Sequence, residues 1–379
     1  MRILQINSAF APAFAYGGVV RVITSISKEL ARRGHEVDVF TTDMLDEQTR
    51  HTTKQERVDG VHVTYFRNLS NWAAARAKLP IAPEMIFRLG CDVRDYDIIH
   101  IHNFYTIHNA IACGCAHQFG TPYVIQAHGS LEPSLNRTAG RDVFMSIAGK
   151  GILEHASGFF ALTGSEQKTY ENLGVSTSRV NIVPNGIDTA TFSELPERGS
   201  MMSKLGIPPG SRIVLYLGRL SETKGIDMLI NALPRIARRI PEVRLLIVGP
   251  NDGFLEQLQR LAGESQARSR IHFVKYIEER EKLAVLTDAD VLVLPRYSGF
   301  PVTLLESLAC GTPIVTTNQG DELDWIHHRC GLVSDHSVNA LADAVSALLE
   351  NEDMRRTFGQ AGRMKVVNDF AWSSIVQQI

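Results

Sequence analysis

Between Asp290 and Val315 the chain reads DVLVLPRYSGFPVTLLESLACGTPIV, a stretch that admits few folds. Val291 to Leu294 is a short apolar run of strand character, and Pro295 to Gly299 carries the Pro, Ser and Gly of a loop. Pro301 suits the first turn of a helix, where a missing N–H is harmless. That helix runs on through Val302, Leu305 and Ala309, Gly311 ends it, and Pro313 opens another strand. The unit is strand, loop, helix, strand, with the helix start facing the loop. In an open parallel sheet ligands collect at that edge, and free N–H groups at a helix start favour a phosphate. Glu306 lies about one turn further in, where a buried carboxylate needs a partner. A ribose diol qualifies, since two hydroxyls can donate to the two oxygens of one carboxylate.

The same rhythm runs through the rest of the chain. A strand is expected over residues 3–6, then a loop with Pro12, Gly17 and Gly18, then a helix with Val19, Ile23, Ile26 and Leu30 on one side that stops at Gly34. Further strands are expected at 37–41, 61–66, 98–101, 123–127, 158–161 and 180–183, with helical text between most of them. That pattern predicts a largely parallel, doubly wound α/β sheet. Pro and Gly gather between Pro184 and Pro209, marking a boundary. The rhythm then restarts with strands at 213–217, 245–248, 271–274, 291–294 and 313–316, and helices at 225–240, 338–349 and 354–367. With 379 residues there is material for two such domains, and two Rossmann-like domains with a cleft between them is the simplest architecture.

Two cations bracket the loop after the first strand of the second domain, Arg219 in Gly218-Arg219 and Lys224 in Lys224-Gly225. A pyrophosphate wants this combination of side-chain charge and helix N–H donors. In the first domain Gly17 and Gly18 let backbone approach the same group. His128 follows the strand at 123–127, where it can either donate to a sugar hydroxyl or phosphate or be satisfied by nearby backbone. His100 and His102 flank Ile101 and point to one face, where they read as packing residues because no third metal ligand can be placed. Asp95-Tyr96-Asp97 and Asp288-Ala289-Asp290 precede their strands, at the edge away from ligands, so both D-x-D triplets read as solvated strand entries and no metal site is expected.

A net charge of −2 gives no field that recruits nucleic acid. Five scattered cysteines fit reduced thiols, and Cys113 and Cys115 read as small core residues. No run approaches the roughly 18 apolar residues of a membrane span, and MRILQINSAF lacks the apolar core of a signal peptide, so a cytoplasmic protein is expected. Asn71 to Leu89 interleaves Trp72, Ile81, Met85, Ile86 and Phe87 with Arg76, Lys78 and Arg88. One reading is a peripheral contact with an anionic membrane at its inner face. The favoured one is a helix pair packed on its own domain, because Pro80 and Pro83 break the amphipathic run.

Five segments in order, FAPAFAYGGVVR, AHGSLEP, VPNGID, GRLSETKGID and the stretch through Gly311, resemble the retaining GT-B glycosyltransferases of family 4 over nearly the whole chain. The resemblance implies an acceptor-binding domain at 1–190, a nucleotide-sugar domain at 191–365 and a C-terminal helix, 366–379, returning to the first domain. It implies donor pyrophosphate on Arg219 and Lys224, ribose on Glu306, sugar or phosphate on His128, and donor contacts from Gly17, Gly18, Phe300, Pro301, Val302 and Thr303. The family pattern E-G-F-G-x-x-x-x-E carries Ser298 in place of its first Glu and Pro301 in place of its second Gly. The missing carboxylate ordinarily lies near the transferred sugar, and a hydroxyl keeps a hydrogen bond but no charge, so Ser298 bears on rate or sugar choice.

The implied reaction moves a sugar from a UDP- or GDP-sugar to a hydroxyl of a glycan or lipid-linked acceptor, with retention and without a metal or other cofactor. Two alternatives stay open, a pseudoenzyme that only binds sugar nucleotides and a sugar-nucleotide epimerase.

Overall fold

The computed structural model describes residues 1–77, 79–132, 139–275, 277–297, 299–318, 320 and 322–379. They form two compact units, Met1–Asn185 together with Ile375–Ile379, and Gly186–Ser374.

The first unit is built on β1 (Arg2–Ile6), β2 (Glu36–Thr42), β3 (Gln55–Val58), β4 (Val61–Phe66), β5 (Ile98–His102), β6 (Tyr123–Gln126), β7 (Gly158–Ala161) and β8 (Val180–Ile182). Their order is β3-β4-β2-β1-β5-β6-β7-β8, and every pair is parallel except β3 with β4. β3 is absent from the sequence reading because QERV has no apolar alternation. It is an edge strand folded back by the Asp59-Gly60 turn, where both residues have positive φ. Alternation along the central strands sorts two faces. Leu4, Ile6, Ile99, Ile101 and Ile125 enter one apolar core, while Gln5, His100, His102 and Gln126 fall on the opposite side. The helix Gly18–Arg32 buries Val20, Val22, Ile23, Ile26 and Leu30. Beside it packs the turn Val376–Gln378 from the end of the chain, with Ile375 and Val376 buried.

The second unit holds β9 (Arg212–Leu217), β10 (Val243–Val248), β11 (Ile271–Val274), β12 (Val291–Leu294), β13 (Ile314–Thr317) and β14 (Gly331–Ser334), in the order β11-β10-β9-β12-β13-β14, all parallel. The helix Ile226–Arg239 lays Ile226, Leu229, Ile230, Leu233 and Ile236 into its core. Burial of each such side chain is worth about 1.5–3 kcal/mol against leaving it in water. β14 is the second strand missing from the sequence reading, four residues opening on a glycine. That glycine is required, because a Cβ at Gly331 would sit 2.2 Å from the Ile314 carbonyl oxygen.

The Asp288 and Asp290 carboxylates are not solvated, which corrects the sequence reading; they are 3% and 4% exposed. Asp288 caps the helix Ser200–Lys204, accepting from the N–H groups of Met201 (2.9 Å) and Met202 (3.0 Å). Asp290 accepts from the Ile213 N–H at 2.7 Å and pairs with Arg198 at 2.9 Å, Arg212 at 3.3 Å and Arg355 at 3.7 Å. The triplet therefore anchors the segment that leads into the second sheet. Asp95 and Asp97 are exposed at their strand entry, and Asp97 accepts from the Arg2 N–H.

The packed-pair reading of residues 71–89 holds for Met85 and Leu89, which are buried, and fails for Trp72 and Phe87, which are 66% and 70% exposed. Lys78 and the side chain of Arg76 lie outside the described residues. Among the described residues no helix is long and apolar enough to cross a membrane.

Candidate active site

In the second unit β9 lies beside β12, with Val214 opposite Val291 and Leu215 opposite Leu292. The sheet grows outward from this pair in both directions, so the loops leaving β9 and β12 part company at the switch point, where open α/β sheets take their ligands. The β9 loop runs Gly218 to Gly225 through the turn Glu222–Lys224, and Gly225 then caps the helix Ile226–Arg239 with φ 68° and no side-chain cap. A Cβ on Gly225 would be 3.3 Å from that of Pro295, which puts the Lys224-Gly225 turn directly against the loop after β12.

Arg219 stands at the mouth of this loop, about half exposed, paired with Asp252 at 2.9 Å. The pair is wet and therefore weak, so the guanidinium can exchange Asp252 for a ligand at little cost. Lys224 is half-buried at the end of the turn. The Tyr216 hydroxyl donates to the Arg219 carbonyl at 2.9 Å and fixes the loop from beneath. Gly249, after β10, has φ 147°, and a Cβ there would fall 1.9 Å from the Gly218 carbonyl oxygen, so only glycine allows the two loops to touch.

The loop after β12 is held by Thr316 and Thr317, whose hydroxyls donate to the carbonyls of Leu294 (2.8 Å) and Pro295 (2.7 Å). Gly299 and Phe300 then take positive φ, and Pro301 is the N-cap of the helix Val302–Ala309, which has no side-chain cap. The first-turn N–H groups of Val302 and Thr303 are thus presented without a capping side chain. The Phe300 ring is buried, with ring centroids 5.9 Å from Trp325 and 5.4 Å from Phe370, so the aromatic group anchors the loop. Ser298 lies outside the described residues.

Glu306 is buried, and Lys282, from the helix Glu279–Asp288, donates from Nζ to its Oε1 at 2.6 Å. The sequence reading missed Lys282. The available signal was the requirement that a buried carboxylate have a partner, which was assigned to a ligand alone.

In the first unit Gly17 has φ 96° and caps the helix Gly18–Arg32 without a side-chain bond, leaving the first-turn N–H groups of that helix at the carboxyl edge of β1. The loops after β1 and β5 are tied by Asn103 Nδ2, which donates to Asn7 Oδ1 at 2.7 Å. His128 has φ 52° and begins the turn after β6. Its Nε2 lies 3.0 Å from His102 Nδ1, and His102 Nε2 lies 2.6 Å from Gln5 Oε1. A carboxamide oxygen only accepts, so His102 carries its proton on Nε2 and His128 donates from Nε2 to His102 Nδ1. The other nitrogen of His128, Nδ1, is shielded from solvent and has no hydrogen-bond partner among the described residues. In this arrangement neither ring nitrogen is turned to a ligand.

Burial lowers His100 and His128 to about 3 and puts His102 well below the usual imidazole range, with repulsion among the rings adding to it. All three are neutral at physiological pH. Next to them Glu166 is 2% exposed and accepts from the N–H groups of Gly129 (2.6 Å) and Leu162 (2.7 Å), which fixes the His128-Gly129 turn. Burial raises its carboxyl to about 7 against the pull of those two bonds. Gln5 and Glu166 were also missed, being polar residues that read as part of a strand and of a helix, and His102, read as a packing residue, is the ring that holds His128. No cluster of three or more His, Cys, Asp or Glu that could hold a metal occurs among the described residues.

Residues 16–191 match the model of Glycosyltransferase Family 4, and residues 197–365 match that of Glycosyl transferases group 1. An uncharacterised glycosyltransferase of Methanocaldococcus jannaschii is 25% identical, with 100% of this chain and 96% of the relative covered. Glycogen synthase of Mycobacterium tuberculosis is 27% identical, covering 99% and 92%. Among solved structures, sucrose-phosphate synthase from Thermosynechococcus elongatus aligns with a TM-score of 0.76 at 24% identity, over 100% of this chain and 96% of the other. The Anabaena protein HepE, in complex with UDP and glucose, gives 0.79 at 19% identity, over 100% and 98%. With both halves matched in order and both sheets of the expected kind, the chain is a glycosyltransferase of family 4 with the GT-B fold.

Proposed function

We propose that the enzyme transfers a sugar from a UDP- or GDP-sugar to a hydroxyl of a glycan or lipid-linked acceptor, with retention at the anomeric carbon and no resident metal. The observation that carries this reading is the apposition, at the β9–β12 switch point, of the Arg219 and Lys224 loop with the uncapped helix start at Val302 and the buried Glu306. These groups suit a nucleoside diphosphate: cations and N–H donors for pyrophosphate, a carboxylate for ribose. The neighbour HepE holds UDP and glucose, and starch synthase IV of Arabidopsis thaliana holds ADP and acarbose, which supports a nucleotide-sugar donor here.

In the reaction the acceptor hydroxyl attacks on the face from which the diphosphate leaves, and its proton passes to the departing phosphate oxygen. Arg219 and Lys224 stabilise the charge that grows on that oxygen as the glycosidic bond breaks. No pair of carboxylates is required. In the first unit His128 is the candidate ligand of sugar or phosphate, available once its ring releases His102, and Gly17 and Gly18 offer backbone; in the second unit Phe300, Pro301, Val302 and Thr303 offer theirs. Ser298 stands near the transferred sugar.

A lipid-linked acceptor would meet the enzyme at the inner face of a membrane, and the outward side chains of Trp72, Phe87 and Leu69, with Arg88 among them in sequence, suit an anionic surface. Flotation with anionic liposomes at low salt checks this part; absence from the lipid fraction removes it. For the reaction, a panel of nucleotide sugars is screened by thermal shift, since a bound donor raises the melting temperature by mass action. The best donor is then assayed with glycan and lipid-linked acceptors in the presence of a chelator. Transfer with retained configuration is expected; activity that returns only with added magnesium defeats the metal-free mechanism, and conversion of donor without acceptor points to an epimerase.

A further inference from the structure

Glu306 is committed to a protein partner before any nucleotide arrives. Lys282 sits 2.6 Å from its Oε1, and the two side chains are only 12% and 10% exposed. A dry ion pair is a poor source of stability, because apolar residues of the same volume usually serve as well, so its presence asks for another account. The pair is also held rigidly. Thr312, just past the helix of Glu306, donates from Oγ1 to the Leu286 carbonyl at 2.6 Å, tying the two helices together. A capping box of Glu278 and Glu281 fixes the start of the helix that carries Lys282. Cys310, one turn beyond Glu306, has its thiol pushed up to about 12, chiefly by burial, and so stays neutral and does not compete for the ammonium. Among the described residues no hydrogen bond is made to the second oxygen, Oε2.

We propose that Lys282 is a positioning residue that locks one edge of the Glu306 carboxylate and presents the other to the ribose, giving the enzyme its selectivity for ribonucleotide over deoxyribonucleotide donors. The inference rests on the reading of Glu306 as the ribose ligand. A carboxylate held at Oε1 cannot rotate to follow a misplaced hydroxyl. A nucleotide lacking one hydroxyl leaves a buried acceptor unmet, and sites built on such bonds discriminate strongly. Without Lys282 the buried carboxylate would lose the partner that fixes its Oε1 and could turn away from the ribose.

Calorimetry with UDP, 2′-deoxy-UDP and 3′-deoxy-UDP tests this on the full chain and on Lys282→Met, Lys282→Arg and Glu306→Ala, with ADP or GDP replacing UDP if either binds tighter. The wild type is expected to favour the ribonucleotide over at least one deoxy analogue by about ten-fold or more. Lys282→Met should bring that ratio below about three-fold, mainly by weakening the ribonucleotide, and Lys282→Arg should restore the ratio. An unchanged ratio in Lys282→Met overturns the proposal, and so does an equal loss on all three nucleotides, the result expected of a structural or pyrophosphate role. If Lys282→Met shows no cooperative melt, Lys282→Gln takes its place under the same criteria. A Glu306→Ala protein that keeps the wild-type ratio defeats the ribose assignment itself, and no nucleoside diphosphate binding to the wild type defeats the donor site; the three failures are distinguishable.

Discussion

The two sheets present opposite solutions to the same task, which is holding polar groups at a strand's carboxyl end. At the edge of β1, β5 and β6 an amide and three neutral imidazoles meet, with Gln5, His102 and His128 in one chain, beside a carboxyl that burial raises to about 7. At the edge of β9 and β12 they are charged and paired, Arg219 with Asp252 and Lys282 with Glu306. Burial without a counter-charge drives groups to their neutral forms, whereas a counter-charge lets them stay ionised. The first edge is therefore sensitive to acid, and the second to the loss of one partner.

Acidification should break the comparison most strongly. The folded-state values of His100 and His128 lie at about 3 and that of His102 well below the ordinary imidazole value of 6.5, so as pH falls below 6.5 the unfolded chain binds more protons and stability falls. His100 and His128 each contribute about 1.4 kcal/mol per pH unit between 6.5 and about 3, and His102 acts in the same direction. Glu166 acts in the opposite sense: raised from 4.5 to about 7, it contributes fully below 4.5, and that contribution is lost as pH climbs to about 7. Three groups outweigh one, so between pH 6.5 and 4.5 the first unit should weaken by several kcal/mol. Hydrogen exchange resolved by region should then show β5 and β6 losing protection while β9 and β12 keep theirs; equal loss in both sheets would contradict the assignment.

Next in size is the cationic loop. Arg219→Ala or Lys224→Ala should lower turnover by roughly 10²-fold, the usual scale for one charge-assisted contact to a leaving group. Near wild-type kinetics in both variants would take the phosphate away from this loop. Glu306→Ala is expected to weaken nucleoside diphosphate binding by about 1–3 kcal/mol, read by calorimetry. The smallest effects should come from Ser298→Ala on nucleotide binding, which should be nearly unchanged, and from Asp252→Ala on stability. The latter should stay within about 0.5 kcal/mol in a denaturant titration, because the exposed pair it removes is screened by water. If Ser298→Ala costs as much nucleotide affinity as Glu306→Ala, their roles have been exchanged.

The strands that position both edges were legible because each is a short, largely apolar run, closed in β9 and β12 directly by Gly218 and Pro295, and their periodicity is local. The positions of Arg219, Lys224 and His128 were legible for the same reason, since a position after a strand is a position on the ligand edge, and Glu306 was found one helical turn beyond such a loop. Lys282 was not: it meets Glu306 from 24 residues away, and nothing in EREKLAVLTD separates it from a solvated lysine. Asp288 and Asp290 were misread on the same ground. Their place before a strand was right and their exposure was wrong, because the arginines and the helix start that bury them come from distant parts of the chain. β3 and β14 escaped because a polar edge strand and a four-residue strand opening on glycine lack the pattern that betrays the others.

The five residues Ile375–Ile379 belong with Met1–Asn185, although the whole of Gly186–Ser374 separates them in the chain. On the ribosome this reverses the usual order. The first unit emerges early, yet the turn that packs beside the helix Gly18–Arg32 is made only after the second unit has been synthesised, so the domain begun first is the one finished last. Until then the surface awaiting Ile375 and Val376 stays open, and a fragment ending at Asn185 would carry that opening permanently.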